Sequence, residues 1–207
     1  MLLPFIFRCA KIYLNKENFI RGDIMFYKMT IAGVERELPL CPLNDELYIG
    51  AFVMFGDVEL TVKCAEALCK LAPEHDVIIT AESKGIPLAY EMSRYLNGQR
   101  YVLARKSPKL YMRDIIKHET KSITTAATQV LYLDGYDAEY MKGKRILIVD
   151  DVISTGASLA SLESLVERAG GIIVGKMAVL AEGDATERDD IIYLEKLPLF
   201  DKNGNAL

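Results

Sequence analysis

The chain has little of what several common kinds of site require. Its two histidines, His75 and His118, stand far apart, which disfavours a histidine-built metal centre. The cysteines Cys9, Cys41, Cys64 and Cys69 share no metal-like pair spacing and set out no disulfide framework; reduced, buried thiols in a cytosolic protein are the economical reading. Positive charge is not in excess: 25 lysines and arginines face 29 acids, a formal net charge of −4, which removes bulk attraction to polyanions but leaves room for a local basic patch. No Gly-x-x-x-x-Gly-Lys-Ser/Thr loop occurs, so a P-loop nucleotide site is excluded. Met1 to Phe7 is apolar but has no basic leader, is too short to cross a bilayer, and is broken up by Arg8, Lys11, Lys16 and Arg21. There are no internal repeats and no low-complexity tracts. At 207 residues, 51% hydrophobic and 26% charged, the composition is that of a globular domain with at most a small appendage.

What is present centres on residues 145–158. Ile146-Leu147-Ile148-Val149 predicts a strand buried on both faces, as in a parallel sheet. Asp150 and Asp151 follow where such a strand would emerge. Ser154-Thr155-Gly156-Ala157-Ser158 then forms a turn of small residues, and Leu159, Leu162 and Val166 recur at helical spacing. The free amides of such a turn and the helix N-terminus suit a phosphate, while carboxylates accept hydrogen bonds from sugar hydroxyls. A phosphoacceptor pocket of the receiver type places its acids near the start of the domain, and too little chain follows Asp151 for that arrangement.

The rest of the chain reads as alternating strands and helices. Residues 1–28 form an extension to which no function is assigned; Met25 and Met29 offer alternative starts. Residues 29–56 are irregular or β-rich, punctuated by Pro39 and Pro42, with a hairpin across residues 30–40 and an apolar run at 51–55, and make a small subdomain outside the main sheet. Asp57 predicts a helix N-cap, with Val58, Thr61, Val62, Ala65, Leu68 and Cys69 on one stripe. Strands are expected at 76–80, 101–104, 128–133 and 172–180, with an edge strand at 191–194. A helix is expected after Pro87, ending at Asn97-Gly98, and a helical turn at 137–141. Residues 105–126 lack periodicity and read as a long functional connection. The order predicts an α/β core, residues 57–207, with a mostly parallel sheet and right-handed crossovers.

In such sheets ligands sit beyond the carboxyl ends of the strands, and three exit loops carry fitting chemistry. Beside the 150–158 segment, Glu82-Ser83-Lys84-Gly85 offers a cation, a hydroxyl and a glycine that lets backbone approach a ligand. Arg105-Lys106-Ser107-Pro108-Lys109 sets three cations at a strand mouth, suited to several phosphate oxygens.

Over roughly Ala51 to Phe200 these motifs resemble the type I phosphoribosyltransferases, in particular the adenine phosphoribosyltransferase-like group. Residues 145–158 resemble that family's signature for 5-phosphoribosyl 1-pyrophosphate (PRPP). Arg105-Lys106-x-x-Lys109-Leu110 is similar to the Arg-Lys-x-x-Lys-Leu run of the adenine enzymes, and Phe55-Gly56-Asp57-Val58 to their Phe-Arg-Asp-Ile run, with Gly56 in place of the arginine. The resemblance implies a three-layer α/β fold with a β-rich hood. It implies that Asp150 and Asp151 hold the ribose hydroxyls, that Ser154, Thr155, Gly156, Ala157 and Ser158 cradle the 5′-phosphate, and that Glu82, Ser83, Lys84, Gly85, Arg105, Lys106 and Lys109 form the pyrophosphate site. Phe55 is the candidate on the base side. The adenine enzymes place a lid glutamate in a Leu-Glu-Tyr-Gly context; here the region reads His118-Glu119-Thr120-Lys121-Ser122-Ile123-Thr124-Thr125, making Glu119 the candidate by neighbourhood.

The implied reaction transfers phosphoribosyl from PRPP to a purine base, adenine favoured, with Mg²⁺ carried mainly by PRPP and reaching Asp151 through water. A cytoplasmic homodimer is implied. The Lys-Asp-His-Gly loop of the orotate enzymes is absent, which favours a purine over orotate; xanthine and guanine stand as alternative bases. A PRPP-sensing transcriptional regulator on the same scaffold is the rival class. Against it, no helix-turn-helix pattern or strong positive charge precedes Ala51, and no nucleic acid or membrane is expected as a partner.

Overall fold

The structure, a computed structural model, describes residues 24–96, 98, 100–121 and 128–207. Most of the 1–28 extension, the helix-ending Asn97 and Ser122 to Thr125 lie outside the described residues. In chain order, β1 (Phe26–Ile31), β2 (Val34–Pro42) and β3 (Leu47–Gly50) precede α1 (Val58–Leu71). Next come β4 (Val77–Ala81), α2 (Ile86–Tyr95), β5 (Tyr101–Ala104), β6 (Ile116–Lys121), β7 (Thr128–Leu133) and α3 (Gly135–Met141). The chain then runs through β8 (Arg145–Ile153), α4 (Ala157–Arg168), β9 (Ile172–Glu182), a 3₁₀ turn (Gly183–Glu187), β10 (Ile192–Leu197) and β11 (Leu199–Asp201).

The five-stranded sheet has the order β10-β9-β8-β4-β5, with every pairing parallel. Counted along the chain this is the order 2-1-3-4-5, so the topology reverses between β4 and β8, where doubly wound sheets bind ligands. Both faces of β8 are buried, and its residues alternate between two cores as a pleated strand must. Ile146 and Ile148 pack with Leu159, Leu162, Leu165 and Val166 of α4. Leu147 and Val149 pack with Leu60, Cys64 and Leu68 of α1 and Leu88 and Met92 of α2. Helices therefore cover the sheet on both sides, the three-layer arrangement expected for a parallel sheet.

The β-rich amino-terminal region forms a separate antiparallel sheet of order β1-β2-β3-β11. Its hairpin turns at Ala32-Gly33, both at positive φ. The apolar run at 51–55 forms no strand: Phe52 and Met54 turn inward against the α1 core while Val53 and Phe55 stay exposed. The fourth strand, β11, is absent from the sequence reading; Phe200 is fully buried there, its ring 4.8 Å from that of Tyr27. Part of the long connection read at residues 105–126 is regular. Residues 116–121 are a strand, paired antiparallel with β7, and the hairpin rests on α4 through Thr120 Oγ1 to Ser161 Oγ at 2.6 Å. Alternation there is between half-buried and exposed positions rather than between apolar and polar residues, so the period-2 signal is weak.

Candidate active site

The chemistry gathers at the sheet's reversal point. β8 runs on to Ile153, so Asp150 and Asp151 lie within the strand's last turns of pleat rather than beyond its end. A bond from the Asp151 amide to Asp150 Oδ1, 2.9 Å, ties the first carboxylate locally. Asp151 is 3% exposed. Its Oδ2 accepts from Lys84 Nζ at 2.6 Å, and Lys84 also reaches the Phe52 carbonyl at 3.4 Å. One ion pair thus joins the exits of β4 and β8 and touches the loop that leads to Phe55. The Asp150 carboxyl is held well above the usual carboxylate range, first by burial and then by the charge of Asp151, with Lys84 opposing.

The loop after β4 is pressed against this pair. A Cβ on Gly85 would stand 2.3 Å from Thr80 Oγ1 and 3.0 Å from Asp150 Oδ1, so only glycine fits. The Thr80 hydroxyl is fully buried and has no hydrogen-bond partner among the described residues. Glu82 accepts from the Lys106 amide at 2.9 Å and from Arg105 Nη1 at 3.4 Å, bracing the basic loop against the β4 exit. As an ionised acceptor it orients the cations instead of meeting an anion itself. Burial works to raise its carboxyl, but the Lys106 amide and the charges of Lys109 and Arg105 outweigh it, leaving it below the ordinary glutamate range. Burial lowers the Lys106 ammonium, against the pull of Asp150, Glu82 and Asp151, which places that lysine within electrostatic reach of the acid pair. Arg105 donates to the Tyr111 hydroxyl at 2.8 Å, and Lys109 Nζ to Ser107 Oγ at 2.8 Å.

Residues 154–158 form a turn with Gly156 as the N-cap of α4, at φ +76°. Among the described residues no hydrogen bond uses the amides of Ser154, Thr155 or Gly156, and the first amides of α4 have no partner within the helix. The turn can therefore wrap an anion.

Two candidates stand apart. Phe55 is 49% exposed at the end of the loop that Lys84 touches through Phe52. Glu119 is on the exposed side of β6, paired with Lys117 at 2.8 Å, and among the described residues no hydrogen bond or ion pair joins it to the acid cluster.

The sequence reading, which stopped β9 at Leu180, passed over Glu182 at the end of that strand and Arg188 just past the following 3₁₀ turn. Arg188 stands at the Gly156 turn. Glu182 is close enough for Lys84 and Asp151 to act on it: burial pushes its carboxyl up to about 7, Lys84 opposes, and Asp151 reinforces. An acid closing a long apolar strand next to the one that carries Asp-Asp was the available signal.

The Glu182 shift has a testable sign. Because the folded value lies above the unfolded one, the native state holds a proton between about pH 4.3 and 7 that the unfolded chain has released. The stability this confers is complete below that window and is lost as pH rises through it. Glu182→Gln should flatten urea-unfolding stability across the window and leave the variant more stable than the parent at pH 8 by about 1–2 kcal/mol after solvent screening. Parallel curves for the two proteins would remove Glu182 from the cluster's electrostatics.

A doubly wound sheet with an acid pair, a basic loop and an anion-wrapping turn around its reversal point defines a domain built for a phosphorylated, hydroxyl-bearing ligand. Comparison with known proteins narrows this. The family model described as a phosphoribosyl transferase domain matches residues 60–202, and the chain belongs to that family. It is 37% identical over 112 residues to the hypoxanthine/guanine phosphoribosyltransferase of Methanothermococcus okinawensis, covering 54% of this chain and 57% of that one. It is 32% identical over 148 residues to the adenine phosphoribosyltransferase of Acetivibrio thermocellus, covering 68% and 80%. The chain thus spans little more than half the length of the curated relatives it matches first. Among solved structures, the adenine phosphoribosyltransferase of Thermoanaerobacter pseudethanolicus has the same fold, with a TM-score of 0.61 at 22% identity over 83% of this chain and 95% of that one.

Proposed function

We propose that the chain transfers the 5-phosphoribosyl group of PRPP to a purine base, releasing pyrophosphate and a nucleoside 5′-monophosphate. The observation that carries this is the Lys84–Asp151 pair at the β4/β8 reversal, flanked by the 154–158 turn on one side and the 105–109 cations on the other. That layout matches the substrate along its length: monophosphate on the turn, ribose hydroxyls on Asp150 and Asp151, pyrophosphate toward Lys84, Arg105, Lys106 and Lys109. As a base nitrogen bonds to C1 and the C1–O bond to pyrophosphate breaks, positive charge grows on the sugar and negative charge on the leaving group. The carboxylates face the first and the cations the second, and both are fixed before reaction.

Among the described residues no cluster of three metal-ligating side chains exists. The donors at the site are hard carboxylate oxygens, which fits Mg²⁺ held by one or two carboxylates together with substrate phosphates. When bound it would supply charge neutralisation at the leaving pyrophosphate, with Asp151 as its contact through water. Residues 57–207, apart from β11, would form the PRPP-binding core, and 29–56 the hood over the base, with Phe55 at its mouth and Glu119 brought in by the hairpin. We further propose a cytoplasmic homodimer; no helix of the described residues is long and apolar enough to cross a membrane.

Adenine is the favoured base. Hypoxanthine or guanine is the second reading, supported by the archaeal relatives that carry the higher identities. Pyrophosphate release with PRPP, Mg²⁺ and each of adenine, hypoxanthine, guanine, xanthine and orotate tests both. Turnover with a purine is expected; PRPP binding without turnover of any base would instead assign the chain to the regulators.

A further inference from the structure

Arg188 lies just beyond the 3₁₀ turn that follows β9, outside every motif by which the site was recognised. Its guanidinium is held on one edge: Nε and Nη2 donate to the two carboxylate oxygens of Asp190 at 2.8 and 2.7 Å. Asp190 in turn accepts from Lys176, which also pairs with Glu163 at 2.7 Å. This chain of two cations and two acids fixes the plane of the guanidinium and turns its remaining end, Nη1, toward α4. There it meets Gly156: a Cβ on that residue would be 2.8 Å from Nη1. A side chain at 156 would push the guanidinium away, so glycine serves both the positive φ and the close approach.

The placement has a consequence for charge along the sheet edge. Lys84, Arg105, Lys106 and Lys109 come from the exits of β4 and β5, on one side of β8. Arg188 comes from the exit of β9, on the other side, and its side chain keeps 33% of its surface open. The monophosphate turn, with its amides, hydroxyls and helix N-terminus, otherwise carries no cationic side chain of its own. We propose that Arg188 is a substrate-binding residue that completes the 5′-phosphate subsite, and that Asp190 is its positioning residue. This rests on the functional reading given above. A planar guanidinium already held on one edge presents its free donors with little entropy left to lose, which favours a phosphate over a neutral hydroxyl. The device therefore selects phosphorylated pentose over the free sugar.

Titration calorimetry of the full chain with ribose 5-phosphate and, separately, with pyrophosphate tests it. Arg188→Gln should weaken ribose 5-phosphate binding by roughly 10-fold or more, the scale of a charge-assisted bond, and leave pyrophosphate binding essentially unchanged. In steady state the KM for PRPP should rise with kcat nearly intact, the mark of binding shared by ground and transition states. Arg188→Lys, which keeps the charge but not the fork, should fall between. Asp190→Asn should reproduce part of the loss in an otherwise normally folded chain and add little to Arg188→Gln, as expected for residues acting as one unit. Unchanged ribose 5-phosphate binding in Arg188→Gln, or equal loss for both ligands, would overturn the proposal while the functional reading stands. A wild-type chain that takes up neither ribose 5-phosphate nor PRPP would overturn both.

Discussion

The Asp150→Asn/Asp151→Asn double variant is expected to lose at least about 100-fold in kcat/KM for PRPP, equivalent to roughly 2.7 kcal/mol of transition-state stabilisation. The substitution keeps shape and volume but replaces acceptor carboxylates by amides, whose NH₂ groups cannot accept from ribose hydroxyls. It also strands Lys84: its ammonium now pairs with Asp151 at 2.6 Å, and a neutral partner removes the charge that orients it. The two effects are separable. Lys84→Met leaves Asp151, whose side chain is only 5% exposed, as a buried carboxylate without its counter-ion. The variant keeps the acceptors for the ribose hydroxyls, so it should lose mainly pyrophosphate binding, whereas the double Asn variant should lose ribose 5-phosphate binding as well. Calorimetric titration with each ligand, together with initial rates, reads both. Normal PRPP affinity in the double Asn variant would remove the carboxylates from substrate recognition, and with them the proposed function.

The same ion pair bears on how the substrate is taken up. Lys84 is assigned to the leaving group and Asp151 to the sugar, yet each currently satisfies the other across the β4/β8 reversal. Substrate binding therefore exchanges a protein–protein charge pair for two protein–substrate contacts. A pair buried on one side is expensive to break without replacement, so the exchange favours a ligand that carries both hydroxyls and phosphates over one that carries either alone.

How much of this was legible in the chain follows from the range of the interactions involved. The buried strand, Asp pair and small-residue turn of residues 145–158 are consecutive, so both their chemistry and their order could be read directly, and the structure keeps them on one strand–turn–helix unit. A parallel sheet covered by helices follows from the alternation of strands and helices, but its order, with β4 beside β8, comes only from the structure. Contacts made by residues far apart in sequence were out of reach. Neither the Glu82 brace on Lys106 nor the approach of Arg188 to Gly156 has any local signature. β11 went unseen because three residues carry too little pattern; it exists through pairing with β3 and the burial of Phe200. β6 was hidden by charge: Lys117, Glu119 and Lys121 read as a solvated loop, though alternation with Ile116, His118 and Thr120 is what a strand lying on α4 requires. Glu119 was reached by neighbourhood alone, and the strand that sets its pairing with Lys117 could not be read from the sequence around it.

Gly85→Ala is expected to be nearly as damaging as loss of the carboxylates, for a steric reason that can be taken apart. Gly85 has φ −73°, a conformation any residue adopts, so backbone strain is not at issue. The added methyl would stand 2.3 Å from Thr80 Oγ1, 3.0 Å from Asp150 Oδ1 and 3.4 Å from Asp150 Cα. Two of these belong to the buried strand that carries the acid pair, which cannot yield without disturbing both cores. Overpacking of this kind costs about 1–3 kcal/mol of stability. The loop has to move away, carrying Lys84 with it, and a shift of about 1 Å at a positioned group costs on the order of 100-fold in rate. Adding Thr80→Ala separates the causes. The Thr80 hydroxyl is buried and unpartnered, so its removal costs little in hydrogen bonding and clears the worst contact, leaving that with Asp150. The Gly85→Ala/Thr80→Ala protein should therefore recover most of the lost stability in urea but little of the lost turnover. Gly98→Ala provides the opposite control: it has φ +75° with open space around a Cβ, so it should lose some stability through strain and keep full activity. Recovery of turnover in the Gly85/Thr80 double variant would show that Asp150 tolerates the displaced loop, and that the close approach of Gly85 serves packing rather than substrate.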